Sequence, residues 1–182
     1  MRLRKLRKHP ILKTERLVLR ELNIGDTEAV FRLRSNPKIM RYTNRPAIKF
    51  RREAQDFIQK NREGWKHRTM LTWAMTSKEQ GLFVGCVGFW RIDESNHRAE
   101  LGYLMLPEFH GQGLMHEAVS AVLAFAFDKI KVHSIEARVD SRNRLSRKVL
   151  ERNEFVLEGR LRQDSLRGSV YRDTDVFGRL RS

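Results

Sequence analysis

Apolar and polar positions along the chain of 182 residues recur with two periods, about two residues and about 3.6, and the pattern switches at turn-forming residues. Thr14 to Leu22 reads as a first strand, with Leu17 and Leu19 on one face and Val18 and Arg20 on the other. Asp26 then stands as the N-cap of a helix reaching about Arg34, whose apolar side carries Val30 and Leu33 and which Pro37 ends. Arg51 to Lys66 has the pattern of a second, amphipathic helix that turns Ala54, Phe57, Ile58 and Trp65 inward. Leu71 to Met75 and Leu82 to Trp90 form a hairpin around Ser77 to Gly81, and Asp93 to Asn96 turns the chain into a strand from Ala99 to Leu106. A helix from about Gly113 to Asp128 buries Val119, Val122, Leu123, Ala126 and Phe127. Val132 to Val139 is strand-like, Arg142 to Arg152 helical and Phe155 to Leu161 strand-like. Ser169 to Phe177 closes the chain as a last strand after the Arg167-Gly168 turn. With no repeat and no low-complexity linker, this mixture predicts one α/β (α+β) domain whose strands join a mixed sheet flanked by helices.

The chemistry-bearing stretch lies between the Ala99 strand and the Gly113 helix. There His110-Gly111-Gln112-Gly113-Leu114-Met115-His116 places two glycines in a turn that ends at a helix N-terminus. Such a helix points its first free N–H groups, and the positive end of its dipole, into the turn. That end holds a phosphate without a lysine, and glycine lets the main chain come close to it. By itself G-x-G also reads as a tight turn before a helix. It is neither a Walker A loop nor a G-x-G-x-x-G fingerprint, so ATPase and dinucleotide readings lose ground.

Size agrees with a single compact domain. No run approaches the ~18 apolar residues of a transmembrane helix. Residues 1–10 hold Arg2, Arg4, Lys5, Arg7 and Lys8 with no apolar stretch after them, which reads as a mobile basic arm and not as a secretory signal. The single cysteine, Cys86, sits in an apolar run as a core thiol, and with no internal disulfide possible a reducing cytoplasm is the simplest home. Six histidines show no zinc-type spacing, so no metal is expected. Trp65, Trp73 and Trp90 fall in periodic apolar stretches, as core or cleft wall. The net charge of +15 speaks about partners: nucleic acid around a protein substrate, an anionic cofactor, an acidic acceptor, or a solvated surface made for solubility. No RNA-binding motif accompanies it.

Four segments occur in one order: "TERLVLREL" from Thr14, "AELGY" from Ala99, "GQGLMHEAV" from Gly111 and "NRLSRKVLERNEF" from Asn143. Together they resemble the GNAT superfamily of acetyl-CoA-dependent N-acetyltransferases, and within it the RimJ/RimL-like ribosomal-protein N-acetyltransferases. The likeness runs from about Ile11 to the C-terminus, which implies a basic arm over 1–10 and a GNAT domain over 11–182. It implies a mostly antiparallel central sheet of about six to seven strands with about four helices. A splay between the Leu101–Leu106 and Ile135–Val139 strands would hold acyl-CoA.

By the same resemblance, the pantetheine arm of acetyl-CoA lies beside Tyr103, Leu104, Met105 and Leu106, and the diphosphate lies on His110, Gly111, Gln112, Gly113, Leu114, Met115 and His116. Asn143 would bond the arm, or serve as a helix cap, or both; Ser146 would protonate or bridge to the departing sulfur, its other reading being a polar helix residue. Leu150 stands where many members carry a tyrosine acid, which leaves Tyr103 in reserve. Arg147 reads as a phosphate contact or as part of a solvated helix face. Acetyl transfer needs a proton acceptor and an oxyanion donor. Glu100 is the candidate base, its other reading being a strand glutamate paired with an arginine, and the N–H of Met105 or Leu106 is the candidate donor.

The implied activity moves acetyl to a primary amine by direct attack in a ternary complex. The acceptor expected is a protein N-terminus such as that of a ribosomal protein. A small amine or antibiotic is the nearest alternative, and a basic ribosome- or RNA-associated module without turnover is another. The acceptor pocket would come from the Pro37–Arg52 loop, the helix after it and Asp164 to Ser169. A cytoplasmic monomer or homodimer, with no membrane partner and at most weak nucleic-acid association, completes the expectation.

Overall fold

The structure, a computed structural model, describes residues 1–3 and 6–181. Its eight strands are β1 (Leu12–Lys13), β2 (Leu17–Glu21), β3 (Leu71–Ser77), β4 (Phe83–Asp93), β5 (Arg98–Met105), β6 (Ser134–Asp140), β7 (Val156–Arg167) and β8 (Val170–Leu180). Five α-helices accompany them: α1 (Thr27–Ser35), α2 (Pro37–Met40), α3 (Arg51–Lys66), α4 (Leu114–Ala124) and α5 (Arg144–Arg152). α4 runs on through a wider helical turn over Phe125–Ile130. The strand order is β1-β2-β3-β4-β5-β6-β8-β7, antiparallel throughout except where β5 meets β6. This is the mixed, mostly antiparallel domain the sequence implied.

Alternation along the strands divides the core into two layers. Leu17, Leu19, Trp73, Phe89 and Leu101 face α4, where Val119, Val122 and Leu123 meet them together with Leu150 of α5. Ala74, Cys86 and Leu104 face the other way, beneath Val30 and Leu33 of α1 and Ala54 and Ile58 of α3. Each such aliphatic side chain contributes about 1.5–3 kcal/mol on burial, so the sheet is held from both sides. Among the described residues, no helix is long and apolar enough to cross a membrane.

The eighth strand, β1, has only two residues, too few to show alternation in the sequence. The helix beyond the four expected is α2, opened by Pro37, which the sequence suggested as a stop. Proline suits the first helical position, where no N–H is needed, and the Asn36 side chain caps the turn by accepting from Lys38 N–H. Asp26 stands at the head of α1 but its carboxylate makes no cap. It accepts instead from the Arg20 guanidinium, at 2.6 and 2.8 Å, and from Asn23 N–H.

The N-terminal residues, expected as a mobile arm, lie against the domain. Leu3 is fully buried, with Met1 and Leu6 packed on the same core. Arg2 N–H donates to Ile130 O, and the Trp73 indole N–H donates to Pro10 O at 2.7 Å. The apolar residues interleaved with the cations supply the anchoring that their charge concealed. Arg4 and Lys5 are outside the described residues.

Candidate active site

β5 and β6 are paired at only three positions, Arg98 with Ser134, Ala99 with Ile135 and Glu100 with Glu136, and then part. Which main-chain groups face the resulting gap follows from the other edge of β5. Met105 is in register with Gly85 and Leu104 with Cys86, and Leu106 N–H donates to Val84 O at 3.0 Å. In an antiparallel ladder, successive residues alternate between bonding the neighbour and turning away from it. Leu104 and Leu106 therefore commit their main-chain groups to β4, while Tyr103 and Met105 turn theirs to the gap. This corrects the expectation for Leu106, whose N–H is already bonded and cannot serve as an oxyanion donor. Met105 keeps that possibility, and Tyr103 N–H joins it. His110 Nε2 lies 3.1 Å from Met105 O, so an N–H at that ring nitrogen secures the carbonyl.

Beyond Met105, a short turn over Pro107–Phe109 leads into the glycine turn. Gly111 and Gly113 both take φ of 76°, the left-handed region where a Cβ is disfavoured, which is why glycine occupies both. His110 N–H donates to Pro107 O and Glu117 N–H to Gly113 O. Gly113 to His116 thus form the uncapped first turn of α4, with no side-chain cap to occupy their N–H groups. Met115 turns into the core and is only 5% exposed, so its long side chain does not seal the bend. Among the described residues His116 Nδ1 is buried without a partner, and the ring borders a groove of about 600 Å³ shared with Ser120, Arg152, Asn153 and Arg179.

Residues a hundred positions away hold the turn in shape. Glu117 accepts from Thr14 Oγ at 2.5 Å, from Arg16 N–H at 2.8 Å and from Arg16 Nε at 2.7 Å, and Arg16 Nη1 donates to Gln112 O at 2.8 Å. Burial pushes the Glu117 carboxyl up, but these bonds outweigh it and hold its pKa below the usual carboxylate range. The sequence reading missed this clamp; its available signal was an acid in the first turn of a helix otherwise built to attract anions.

On the α4–α5 face, the Tyr103 hydroxyl lies 2.8 Å from Ser146 Oγ and 3.1 Å from Ser146 O. Burial raises the phenol well above its ordinary pKa, partly offset by the Ser146 bond, so it stays a proton donor. Asn143 caps α5 by accepting from Ser146 N–H at 3.1 Å. Arg147 is occupied, with Nε 2.8 Å from Glu151 and Nη1 3.9 Å from Asp175. Glu100, Gly102 and Leu104 lie on the opposite face of β5 from Tyr103. Glu100 carries Arg91 Nε at 3.8 Å, matching its plainer reading as a paired strand glutamate, and its side chain remains 27% exposed. Beside it the Trp90 ring fills the space over Gly102: a Cβ there would come within 2.7 Å of the indole.

An arch joins the loop after α2 to β7. Arg167 of β7 donates to Arg41 O, Tyr42 O and Asn44 Oδ1, and Ser165 Oγ donates to the same Asn44 oxygen at 2.7 Å. Asp140, at the end of β6, takes both arms of Arg142 at 2.7 and 2.9 Å and lies 3.8 Å from Arg167. Cys86 is buried, and desolvation pushes its thiol up to about 12, so it is a core residue and no nucleophile. The structure thus joins Tyr103 to Ser146 and Met105 to His110, lets Asn143 cap the helix that carries Ser146, and sets Glu100 on the opposite face of β5 from Tyr103.

A gap in a mixed sheet beside an uncapped, glycine-led helix is the arrangement of an acyl-CoA transferase domain, and sequence comparison agrees. The acetyltransferase (GNAT) domain family matches residues 16–156. The uncharacterized N-acetyltransferase YoaA of Bacillus subtilis is 30% identical over 168 residues, spanning 92% of this chain and 95% of that protein. The ribosomal-protein-serine acetyltransferase of Escherichia coli is 33% identical over 108 residues, 58% of this chain and 59% of that one. Among solved structures, the RimL ribosomal L7/L12 alpha-N-protein acetyltransferase in complex with coenzyme A superposes with a TM-score of 0.87 at 22% identity, covering 94% of this chain and 98% of that one. The chain belongs to the GNAT acetyltransferase family, and is an acetyl-CoA-dependent N-acetyltransferase.

Proposed function

We propose that the protein acetylates the N-terminal amine of a polypeptide, by direct attack on acetyl-CoA in the gap between β5 and β6. The observation that carries this reading is the pair of outward main-chain edges at Tyr103 and Met105, ending at the uncapped turn of α4. Unpaired N–H and C=O groups need partners, and a pantetheine arm supplies alternating amides. The glycines and the free helix end suit a diphosphate. The groove at His116, with Arg152 and Arg179, suits the phosphate of the nucleotide end.

Acetyl-CoA, when bound, supplies an acetyl thioester. The N–H groups of Tyr103 and Met105 steady its carbonyl as negative charge grows there. Glu100 takes the amine proton from the α1–α3 side; three residues of extended chain, about 10 Å, separate it from Tyr103, so a water carries the proton between them. On the α5 side, Ser146 Oγ–H protonates the departing sulfur as the C–N bond replaces the C–S bond, and Tyr103 O–H restores the serine proton and regains its own from water once CoA leaves. Base and acid thus work from opposite faces of β5 and do not compete for one position. The arch of Arg41 to Asn44 over the Ser165–Arg167 segment covers the acceptor, and a cytoplasmic setting suits the lone buried thiol.

The test is release of CoA, followed with a thiol dye, from acetyl-CoA and a panel of peptides and small amines. Peptide-dependent release that Glu100→Gln and Ser146→Ala each slow supports the reading. Release driven by small amines alone refutes the acceptor, and parent rates in both variants refute the catalytic assignments.

A further inference from the structure

Several partly buried arginines of this domain have an anion within reach. Arg20 bonds Asp26, Arg167 bonds Asn44 beside Asp140, and Arg179 bonds Glu154 at 2.6 Å. Arg34, in the last turn of α1, is only 7% exposed. Among the described residues its guanidinium makes no hydrogen bond and no ion pair, and its Nε is buried without a partner. Its company is the Phe57 ring of α3, with the guanidinium carbon 4.3 Å from the centroid. Desolvation, followed by the nearby Arg45, works against its charge. Glu53, an acid near enough to favour its charge, makes no ion pair with it and already accepts from Lys49 N–H and Phe50 N–H at the start of α3. A guanidinium stays charged in proteins, and a buried unpaired charge costs several kcal/mol unless something balances it. Stability alone gives no reason to keep it.

Its location suggests what balances it. Arg34 lies close enough to Cys86 for each group to bias the other's ionisation, and Cys86 is paired with Leu104 of β5. The guanidinium therefore lies on the α1–α3 side of the sheet, stacked on Phe57, the side to which Cys86 and Leu104 of the β4–β5 pair turn. This is the side where Glu100 lies, and Ile48 N–H of the loop before α3 donates to Arg34 O. We propose that Arg34 recognises an anion on the acceptor, so that the preferred acceptor carries a carboxylate on its first or second residue, a few bonds from the reactive amine. The proposal rests on the peptide reading above and sharpens it. A polycationic acceptor such as a polyamine would place its second charge against an unpaired cation, and is disfavoured for that reason.

The test compares two hexapeptides identical but for Glu or Gln at the second position, in the CoA-release assay, with the parent and with Arg34→Met, which keeps an unbranched stem against Phe57. A charge-assisted bond in a desolvated site favours the Glu peptide by about tenfold or more in kcat/KM, mostly through KM. In Arg34→Met that ratio falls to about one, and Arg34→Lys recovers part of it. Equal kcat/KM for the two peptides in the parent, or a preference that survives Arg34→Met, overturns the proposal while leaving peptide acetylation standing. If neither peptide turns over and another amine does, the acceptor reading fails by itself. Calorimetry with the N-acetylated forms of the two peptides then decides for Arg34: tighter binding of the Glu form that Arg34→Met abolishes supports it, and equal or absent heats overturn it.

Discussion

Glu117→Gln tests whether the shape of the glycine turn depends on the clamp from the first strand. The carboxylate receives three hydrogen bonds, one from a guanidinium, one from a hydroxyl and one from a main-chain N–H. Bonds to a charged group contribute about 1.5–3 kcal/mol each when buried. The Arg16 side chain is 47% exposed, which lowers its bond toward the ~0–1 kcal/mol of a surface pair, whereas Glu117 is 16% exposed. Both remaining bonds fall on Oε1, so a glutamine carbonyl in that place keeps them, but as weaker bonds to an uncharged acceptor. The expected cost is therefore about 2 kcal/mol, seen as a fall of roughly 4–8 °C in Tm for a domain of this size. The same change frees Arg16 from its anchor beside Gln112 O, so acetyl-CoA affinity by calorimetry falls by about tenfold, since 1.4 kcal/mol corresponds to that factor. pH gives an independent check. Because the folded carboxyl has its pKa lowered below the ordinary 4.5, its stabilisation is present above that value and is lost as pH falls through the folded pKa. The gap between parent and variant should thus close in acid. A variant that unfolds with the parent at pH 7 and binds acetyl-CoA equally well would refute the clamp.

Three further outcomes follow from the same geometry. Tyr103→Phe removes the 2.8 Å contact to Ser146 Oγ and should slow turnover by about tenfold to a hundredfold; steady-state kinetics that also show an unchanged KM for acetyl-CoA would place the loss in chemistry, and a parent kcat would exclude the relay. Cys86 should resist thiol reagents in the native protein. Since its folded pKa is about 12 against an ordinary 9.0, its contribution is complete below pH 9 and falls above it by about 1.4 kcal/mol per pH unit, a slope that Cys86→Ala should remove in denaturant melts at pH 9 to 11. Deleting residues 1–9 strips fully buried Leu3 from the core and should cost about 3 kcal/mol, measured by urea unfolding; an unchanged midpoint would mean the arm is not anchored.

Much of the fold was legible because local patterns decide it. α3 spans Arg51–Lys66 as its 3.6-residue period indicated, and the faces of β2 and α4 are buried where Leu17, Leu19, Val119 and Val122 placed them. Departures occur where a signal is too short or has two meanings: β1 has two residues, Pro37 stops one helix and starts another, and Leu3 is hidden among cations. The turn at Gly111 to Gly113 was readable too, since positive φ and close approach both require glycine.

Local patterns along the chain thus establish the elements, their buried faces, and a glycine-led helix start made to meet an anion. Which way those groups act follows from the assembled fold. Whether Leu106 or Tyr103 offers an N–H to the gap depends on the register of β5 against β4, which no local pattern encodes. Arg16 meets Glu117 across 101 positions and Arg167 meets Asn44 across 123, and Arg34 is left without an anion by the same packing. Hydrophobic periodicity is set by neighbours a few residues apart. Pairing of charges, and the direction of a strand's donors, are set by chain segments that touch only after folding.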